Sequence, residues 1–376
     1  GTLAHQLDSR LSRLLRALGQ RAHLPNARRV SRLLASSWRG QLVDSGAKWS
    51  SDITDDHSPF EFSLALDGSA ATLRILTEPQ DVRQPSLARS WSLAGDIHEK
   101  LASRWGAGLG GYTKVADLFE PTAKSQGAFS VWHSAILSAA HPEFKVYLNP
   151  AIHGAGGAEQ VVAAAFGRLG LGEAWRTLSE AVLRRSGLDQ VIYFSVDLTD
   201  TSEARAKIYV AHREATAADL TRALEPCSGF DAASIERWSQ HLMGGTGPFH
   251  ERPPITCFAL RRGSLELHTT TLHLPVRCYA IDDFEVARKV CTFLPFRQRV
   301  EYMRAVTELA ERPLESGPGL QTYVSVRPSP GRESLTVYLA PQVYSTPRQR
   351  SVEAAGFGLF RRLDEPRAIH AGHQAR

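Results

Sequence analysis

The side chains best suited to chemistry lie in one short alternating segment, Arg205-Ala206-Lys207-Ile208-Tyr209. Because successive side chains of a β-strand point to opposite faces, Arg205, Lys207 and Tyr209 would share one face. Two cations and a phenol on that face predict a wet, functional surface, whereas the apolar face would pack against helices. A single strand of this kind is also compatible with an ordinary solvated sheet face.

The same alternation recurs along the chain, which weakens the solvated-face interpretation. Related segments are Lys145-Val146-Tyr147, Arg277-Cys278-Tyr279 and Thr336-Val337-Tyr338, and Arg74 lies on an earlier predicted strand without a tyrosine. Each follows a second extended segment and precedes helical sequence, so a strand–strand–helix–helix unit repeats about five times. About ten antiparallel strands with helices between the pairs can close into a barrel whose polar faces point inward.

Such a barrel would bring cations and aromatic rings together. The cations are Arg74, Lys145, Arg205, Lys207 and Arg277, and the tyrosines are Tyr147, Tyr209, Tyr279 and Tyr338. Clustered cations repel one another unless an anion neutralises them, and guanidinium and ammonium groups suit a diphosphate. Desolvated aromatic faces stabilise a cation by up to about 2 kcal/mol each. Unless the tyrosines are ordinary core packing, the two groups predict a prenyl transfer site.

No residue pattern predicts a metal or nucleotide site. The paired acids Asp55-Asp56 and Asp282-Asp283 lack a continuation to DDxxD, and we interpret them as turn and helix-cap residues. The GAGLGGY segment follows a helical pattern rather than a strand, which argues against a dinucleotide site. The cations would then neutralise a leaving diphosphate without metal, and no cofactor is expected.

Composition sets broad limits on the partners. The chain has 376 residues, 43% of them hydrophobic and 22% charged, which is typical of a globular protein. The net charge of +5 comes without long basic runs, so we expect an acidic small ligand and no nucleic acid. Four cysteines without CxxC spacing predict free thiols and a cytoplasmic location. We expect no signal peptide, no membrane span, and a monomer or weak homodimer.

The fold class predicted is α+β, a ten-stranded antiparallel β-barrel with a solvent-filled lumen ringed by α-helices. Residues 1–45 are expected to form helices that pack on the barrel, residues 46–364 a single domain of five ββαα units, and residues 365–376 a tail. A last helix is expected over 347–364. The Gly/Pro-rich segment 244–254 is interpreted as either a lid or a simple loop.

Four motifs, in this order, resemble a known family: DDHSPFEFS, KVYLNP, RAKIYV and TVYLAP. They resemble the metal-independent aromatic prenyltransferases of the dimethylallyltryptophan synthase type, especially the bacterial members, over residues 50–345. The resemblance implies the ABBA or PT barrel and a role in secondary metabolism such as alkaloid biosynthesis. It also implies transfer of a dimethylallyl group from dimethylallyl diphosphate to the indole ring of tryptophan or a tryptophan-derived compound.

The resemblance assigns roles to individual residues. Glu61 matches the acid that accepts a hydrogen bond from the indole N–H. The matches to the diphosphate binders are Arg74, Lys145, Arg205 and Lys207, and the matches to the tyrosine shield are Tyr147, Tyr209, Tyr279 and Tyr338. Arg277 stands where relatives often carry a polar residue such as glutamine. The family's last diphosphate arginine would be Arg327 or Arg332.

The sequence departs from the fungal members at the proton-accepting lysine, which is missing here. Trp132 or His133 falls near that place, and strand alternation lets only one face inward unless a bulge intervenes. The usual pKa range of histidine suits His133 as a base, but a histidine on an apolar strand can also be purely structural. Trp132 could only stack on the indole or the cation. Glu61 could itself take the proton if the indole nitrogen is alkylated.

Two alternative functions remain open at this point. One is a phenol or naphthalene prenyltransferase on the same barrel, which would not need an acid for an indole N–H. The other is a non-catalytic barrel that binds an acidic metabolite. The prenyl chain length, the indole position and the exact acceptor are not determined by the motifs.

Overall fold

A computed structural model describes residues 1–67, 71–137, 141–261, 263–264, 266–329 and 332–344 of the chain. The helix expected over 347–364 and the tail expected over 365–376 lie outside these described residues.

Ten antiparallel strands form a closed barrel, which confirms the predicted fold class. Each strand pairs with its neighbours along the chain, and the last pairs with the first. The strands are β1 (Phe60–Leu66), β2 (Thr72–Thr77), β3 (Val131–Ile136), β4 (Phe144–Leu148), β5 (Asp189–Asp197), β6 (Arg205–His212), β7 (Ile255–Arg261), β8 (Leu267–Leu274), β9 (Gln321–Ser329) and β10 (Arg332–Leu339).

Helices surround this barrel and cover its outer face. They are α1 (Leu3–Ala17), α2 (Leu24–Leu34), α3 (Leu87–Trp105), α4 (Gly110–Thr113), α5 (Ala158–Arg168), α6 (Gly172–Val182), α7 (Ala217–Leu224), α8 (Ala232–Met243), α9 (Asp283–Cys291) and α10 (Phe296–Leu309). The outward side chains of β6, such as Ile208 and Val210, join the main hydrophobic core with the helices. Burial of this apolar layer stabilises the wall, so the inward face is free to be polar.

The N-terminal region that contains α1 and α2 is hydrogen-bonded to the segments that follow two barrel strands. Buried leucines of α1 recur mostly at intervals of three or four residues, because one helical face packs on the body. The Arg10 Nε donates to the carbonyl of Pro341, just after β10, at 2.9 Å. The Trp38 indole N–H donates to the carbonyl of Glu78, just after β2, also at 2.9 Å.

The prediction of a strand around Arg277 is wrong. Strand β7 pairs with β8, and β8 ends at Leu274, directly before Pro275. Proline has no backbone N–H to donate to a sheet ladder, so the strand stops there. Residues Val276–Cys278 form a single 3-10 turn instead. Arg277 and Tyr279 therefore lie beyond the barrel wall rather than on it.

Several smaller expectations can be checked against the same fold. Asp282 caps α9 by accepting from the Glu285 N–H at 2.7 Å, as predicted for this acid. The four cysteines are free. Within the described ranges no helix has the length and apolar character needed to cross a membrane.

Candidate active site

The inward side chains form two groups along the barrel axis. We call one end the lysine end, where Lys145 on β4 faces Asp197 on β5. We call the other the glutamate end, which is marked by Glu61 on β1 and Trp132 on β3. Alternation in the strands places both groups inside one lumen, with aromatic side chains between them.

Four of the predicted cations meet at the lysine end. Burial, together with the charges of Lys207, Arg74 and Arg205, holds the pKa of Lys145 well below its usual range. Burial is also the main cause that lowers the pKa of Lys207. Two ammonium groups this close are stable as cations only when negative charge is added nearby. This end of the lumen is therefore built for an anion.

One acid, Asp197, offsets part of the positive charge of these cations. The Arg205 Nε donates to the Asp197 Oδ2 at 2.6 Å, and both side chains are largely buried. Although burial acts in the opposite direction, Lys145, Lys207 and Arg205 lower the pKa of Asp197. The carboxylate thus stays ionised and offsets a single charge, so these four cations keep an excess of positive charge.

Ser195 is a further polar residue at the lysine end that the sequence did not reveal. It lies on β5 between Tyr147 on β4 and Lys207 on β6. Its side chain is 1% exposed, and its Oγ has no hydrogen-bond partner among the described residues. The Arg74 Nε is in the same situation there. A buried hydroxyl and a buried guanidinium Nε without partners among the described residues indicate atoms that can hydrogen-bond to a ligand or water.

Aromatic rings form the next layer toward the glutamate end. Tyr209 donates its hydroxyl hydrogen to the Tyr147 hydroxyl at 3.3 Å, and their ring centroids are 5.7 Å apart. His273 on β8 lies between Tyr209, at 5.9 Å, and Tyr338, at 5.6 Å between centroids. We call these four residues the aromatic ring layer. His273 occupies the place that the sequence prediction gave to Tyr279.

Two more tyrosines extend this layer and were not predicted. The Tyr193 ring lies 5.9 Å from Tyr209 and 5.2 Å from Trp132, measured between centroids. The Tyr323 ring lies 6.4 Å from that of Tyr338. Both belong to strands in which every second residue is polar, Tyr193-x-Ser195-x-Asp197 and Tyr323-x-Ser325-x-Arg327. That alternation was the signal that could have found them.

Of the two candidates on β3, Trp132 faces the lumen and His133 does not. The Trp132 ring stacks on Phe129 with centroids 3.9 Å apart and is 1% exposed. The His133 Nε2 lies 2.9 Å from the Nε2 of His98 on α3, outside the barrel wall. Burial there holds the pKa of His133 well below its usual range. The prediction of His133 as a base in the lumen is therefore wrong.

Glu61 marks the glutamate end. Its side chain is 3% exposed, and the Thr322 hydroxyl donates to its Oε1 at 2.9 Å. Burial raises the pKa of Glu61 to about 8, against smaller opposing effects of Thr322 and Arg252. The carboxyl group is consequently mostly protonated at neutral pH when no ligand is bound.

Arg252 is the functional candidate that sequence patterns missed most completely. It comes from the 244–254 segment, is 2% exposed, and holds its guanidinium 5.8 Å from the Tyr323 ring centroid. Its Nη2 donates to the Asp55 Oδ1 at 2.7 Å, and Arg277 pairs with the other oxygen of the same carboxylate. This segment therefore contributes a side chain to the site and is more than a connecting loop.

These contacts correct three predictions. Arg277 lies at the glutamate end with Asp55, away from the four cations of the lysine end. Tyr279 donates its hydroxyl hydrogen to the Arg252 carbonyl at 3.2 Å and is not part of the aromatic ring layer. Asp55 is an ion-pair partner rather than a turn residue, whereas Asp56 accepts from Thr54 and Ser58 within its own loop.

The remaining predicted residues also have defined places. Arg327 donates to the Asp67 Oδ2 at 2.9 Å near the lysine end, which it reaches from β9. The Arg332 side chain is not among the described atoms. Within the described ranges, no group of three or more His, Cys, Asp or Glu side chains could hold a metal ion. The arrangement can accept a polyanion at one end and a flat apolar molecule with an N–H at the other.

Comparisons with known proteins agree with this geometry. The family model described as tryptophan dimethylallyltransferase matches residues 35–308. The structure of 6-dimethylallyltryptophan synthase from Micromonospora olivasterospora, in complex with DMASPP and Trp, superposes with a TM-score of 0.84. The identity is 32%, over 92% of this chain and 98% of that one.

Two further relatives are similar over different lengths. The 5-dimethylallyltryptophan synthase from Streptomyces coelicolor is 27% identical over 94% of this chain and 99% of its own, with a TM-score of 0.83. The 4-O-dimethylallyl-L-tyrosine synthase from Claviceps purpurea is 28% identical over 185 residues. That match spans 41% of this chain and about 40% of the length of the curated relative.

Proposed function

This chain belongs to the tryptophan dimethylallyltransferase family, and from that membership we propose how its residues carry out the reaction. The enzyme is a prenyltransferase that moves a dimethylallyl group from dimethylallyl diphosphate to the indole ring of tryptophan. The observation that carries the assignment of roles is the single lumen with cations at one end and a buried acid at the other.

The lysine end binds the diphosphate. Arg74, Lys145, Arg205 and Lys207 supply guanidinium forks and ammonium charges, and Ser195 adds a hydroxyl within the same pocket. As the bond from C1 of the dimethylallyl group to oxygen breaks, negative charge grows on the diphosphate. Cations fixed there before the reaction stabilise that charge without reorganisation. We therefore propose that ionisation needs no metal ion.

The aromatic ring layer holds the allylic cation. Tyr147, Tyr209 and Tyr338 have raised pKa values, chiefly because of burial, so their hydroxyls stay neutral and their π faces are available. Cation–π contacts in a desolvated site stabilise a carbocation, and the rings exclude water that would trap it. The indole then attacks one end of the allylic cation.

The glutamate end orients the acceptor. The indole N–H donates to Glu61, and Trp132 gives the indole a flat surface beside Phe129 and Tyr193. Glu61 and the cations of the lysine end lie at opposite ends of one lumen. An indole bound to Glu61 would therefore extend from the glutamate end toward the aromatic ring layer. An acceptor without a hydrogen-bond donor at this position would leave the buried Glu61 without a partner, which disfavours naphthalene-type acceptors that lack such a donor.

The test is product formation from tryptophan and dimethylallyl diphosphate in the presence of excess EDTA. We expect full turnover under these conditions, with one diphosphate released per prenylated tryptophan. Mass spectrometry and NMR of the product identify the ring position and whether the attachment is regular or reverse. Strict dependence on added magnesium would contradict the proposed role of the cations.

The charges at the glutamate end further favour a free amino acid as acceptor. Arg252 and Arg277 share the single carboxylate of Asp55, and Glu61 is mostly protonated. Although Asp52 is a further buried acid near Tyr193, the two guanidinium groups at this end can bind a carboxylate of the acceptor. We propose that Arg252 binds the α-carboxylate of tryptophan.

This proposal predicts how the enzyme treats substrates with and without the carboxylate. Wild-type enzyme should prefer tryptophan to tryptamine by about 30-fold in kcat/KM, because a buried charge pair contributes about 2 kcal/mol or more. In Arg252→Lys, and more strongly in Arg252→Gln, the preference should shrink toward none. Equal losses on both substrates would instead mean that Arg252 serves only the structure.

A further inference from the structure

We propose that His273 is a catalytic residue, the base that takes the proton from the alkylated indole carbon through its Nε2. The inference rests on the proposed prenyl transfer and adds the proton acceptor that the sequence comparison left unassigned. It is drawn from the position of His273 in the lumen, its unpaired ring nitrogen and the orientation of the other candidates.

The position of His273 places it next to the reacting carbons. It is one member of the aromatic ring layer, with Tyr209 on one side and Tyr338 on the other. The allylic cation must lie inside this layer, and the indole carbon that attacks it must be in contact with it. A side chain in the same layer can therefore reach the hydrogen on that carbon.

The Nε2 of His273 has no assigned task in the fold. The side chain is 7% exposed, and this nitrogen has no hydrogen-bond partner among the described residues. Buried polar atoms without partners are uncommon because each costs free energy. Tyrosine stands at the corresponding place on β4, β6 and β10. A ring that only shields the cation would not need a basic nitrogen.

The chemistry requires such a base after carbon–carbon bond formation. The C1–O electron pair leaves with the diphosphate, and indole π electrons then form the carbon–carbon bond to the allylic cation. The ring carbon then carries both the prenyl group and a hydrogen. Its C–H electron pair restores aromaticity, and the proton moves to the Nε2 and makes an imidazolium. The proton later leaves with the diphosphate, which returns His273 to its neutral form.

The other ionisable groups are less suited to this step. His133 lies outside the barrel wall against His98. Glu61 is mostly protonated at neutral pH and is occupied by the indole N–H. The ammonium groups of Lys145 and Lys207 are held as cations once the diphosphate is bound, because the added negative charge stabilises them.

A neutral imidazole also suits the earlier step, in which the allylic cation forms beside it. Burial lowers the pKa of His273 to about 3, with a further contribution from Lys207, so the ring carries no charge while the allylic cation forms. A protonated side chain in this layer would repel that cation. An arenium ion is a very strong acid, so even a weakly basic nitrogen accepts its proton.

The experiment compares wild type with His273→Gln and His273→Tyr, using tryptophan with a fully deuterated indole ring. The tyrosine variant keeps an aromatic ring like those on the neighbouring strands and removes the base. Both variants should lose about 100-fold in turnover, the low end for a general base. Their deuterium isotope effect on turnover should rise clearly above unity, because deprotonation becomes rate-limiting. The stalled arenium ion can break its new carbon–carbon bond and return the allylic cation, which water then hydrolyses to the prenyl alcohol, so diphosphate release should exceed product formation.

His268→Gln is the matched control. It changes a histidine of the same strand that is exposed at the rim of the barrel, where its Nε2 lies 3.3 Å from the Arg261 Nη2, and it should behave as wild type. Donor binding and thermal unfolding of each variant show whether it is folded. His273→Gln with wild-type turnover, or slow turnover without an isotope effect, would overturn the assignment. If wild type makes no prenylated tryptophan, the proposed function itself fails, which is a different result.

Discussion

Replacing Lys207 by glutamine will reduce turnover by two to three orders of magnitude, with dimethylallyl diphosphate saturating. Lys207 lies among the buried cations of the lysine end, where its ammonium group contacts that of Lys145. Removal of one preorganised charge-stabilising group from an active site typically costs about 10²- to 10³-fold in kcat. The loss should appear in diphosphate release as well as in product, because ionisation of the donor is the step affected.

The control for this variant removes the same charge from the rim of the barrel. Arg261 at the end of β7 pairs with Glu203 at 2.8 Å, and both side chains are partly exposed. Arg261→Gln should stay within a few-fold of wild type, because exposed charges are screened by solvent. If both variants lose the same activity, the effect would reflect the general potential of the barrel rather than contact with the diphosphate.

The same cluster predicts proton uptake when the donor binds. The pKa values of Lys145 and Lys207 are lowered in the free protein, chiefly by burial, so part of the population is neutral at alkaline pH. Bound diphosphate favours the charged forms and draws protons from the buffer. Calorimetric titrations in buffers of different ionisation enthalpy measure this uptake, which should be smaller in Lys207→Gln. Binding without any proton uptake would contradict the lowered pKa values.

Local alternation was enough to predict the barrel. In β6 and β4 the polar and apolar side chains alternate with a period of two, which is a property of a few consecutive residues. The sequence segments FEFSLAL and RAKIYVAH coincide with β1 (Phe60–Leu66) and β6 (Arg205–His212). The residues that alternation placed inward, such as Lys145, Tyr147 and Lys207, do face one lumen.

The error at the fourth hairpin shows where local alternation is insufficient. Arg277-Cys278-Tyr279 has the spacing of the true segments, but Pro275 ends the strand before it. The inward residues of β8 are Thr271 and His273, in a Thr-x-Thr-x-His pattern that carries no cation or phenol. Which of two adjacent segments joins the barrel is decided by pairing with β7 and β9, and this is not encoded in the segment alone.

Residues supplied by loops could not be predicted by any periodicity. Arg252 and Asp55 are separated by almost two hundred positions and meet because two irregular segments cross the same end of the barrel. The path of a loop depends on the tertiary packing beneath it rather than on a repeating pattern. The charged residues that meet at the glutamate end could therefore be identified only from the structure.

Above about pH 8, where Glu61 is ionised, Glu61→Gln should reduce kcat/KM for tryptophan by about 100-fold, because a hydrogen bond to a charged acceptor contributes up to about 3 kcal/mol. Affinity for dimethylallyl diphosphate should be unchanged, since Glu61 lies at the other end of the lumen. In wild type, affinity for tryptophan should increase as the pH rises through about 8, because the ionised carboxylate is the stronger acceptor. The glutamine variant should show no such dependence. A loss of donor affinity equal to the loss of turnover would contradict the assigned role.

The same substitution has a consequence for stability whose sign follows from the raised pKa. Burial moves the Glu61 pKa from 4.5 to about 8, so the folded state keeps a proton that the unfolded state releases. The stabilisation by this proton is complete below pH 4.5 and is lost as the pH rises to about 8, on the order of 5 kcal/mol in total. Ligand-free Glu61→Gln should therefore gain stability relative to wild type across this interval, as measured by urea unfolding.

Thr322→Val changes the pKa of Glu61 while the glutamate side chain itself is kept. The Thr322 hydroxyl donates to Glu61 and lowers the pKa of its carboxyl group, so its removal should raise that pKa further. The pH at which tryptophan affinity increases should then shift upward, while Glu61→Gln abolishes the increase altogether. Because a loss of packing alone would weaken binding equally at every pH, a shifted profile in Thr322→Val indicates ionisation of Glu61 itself. An unshifted profile would assign the titration to another group.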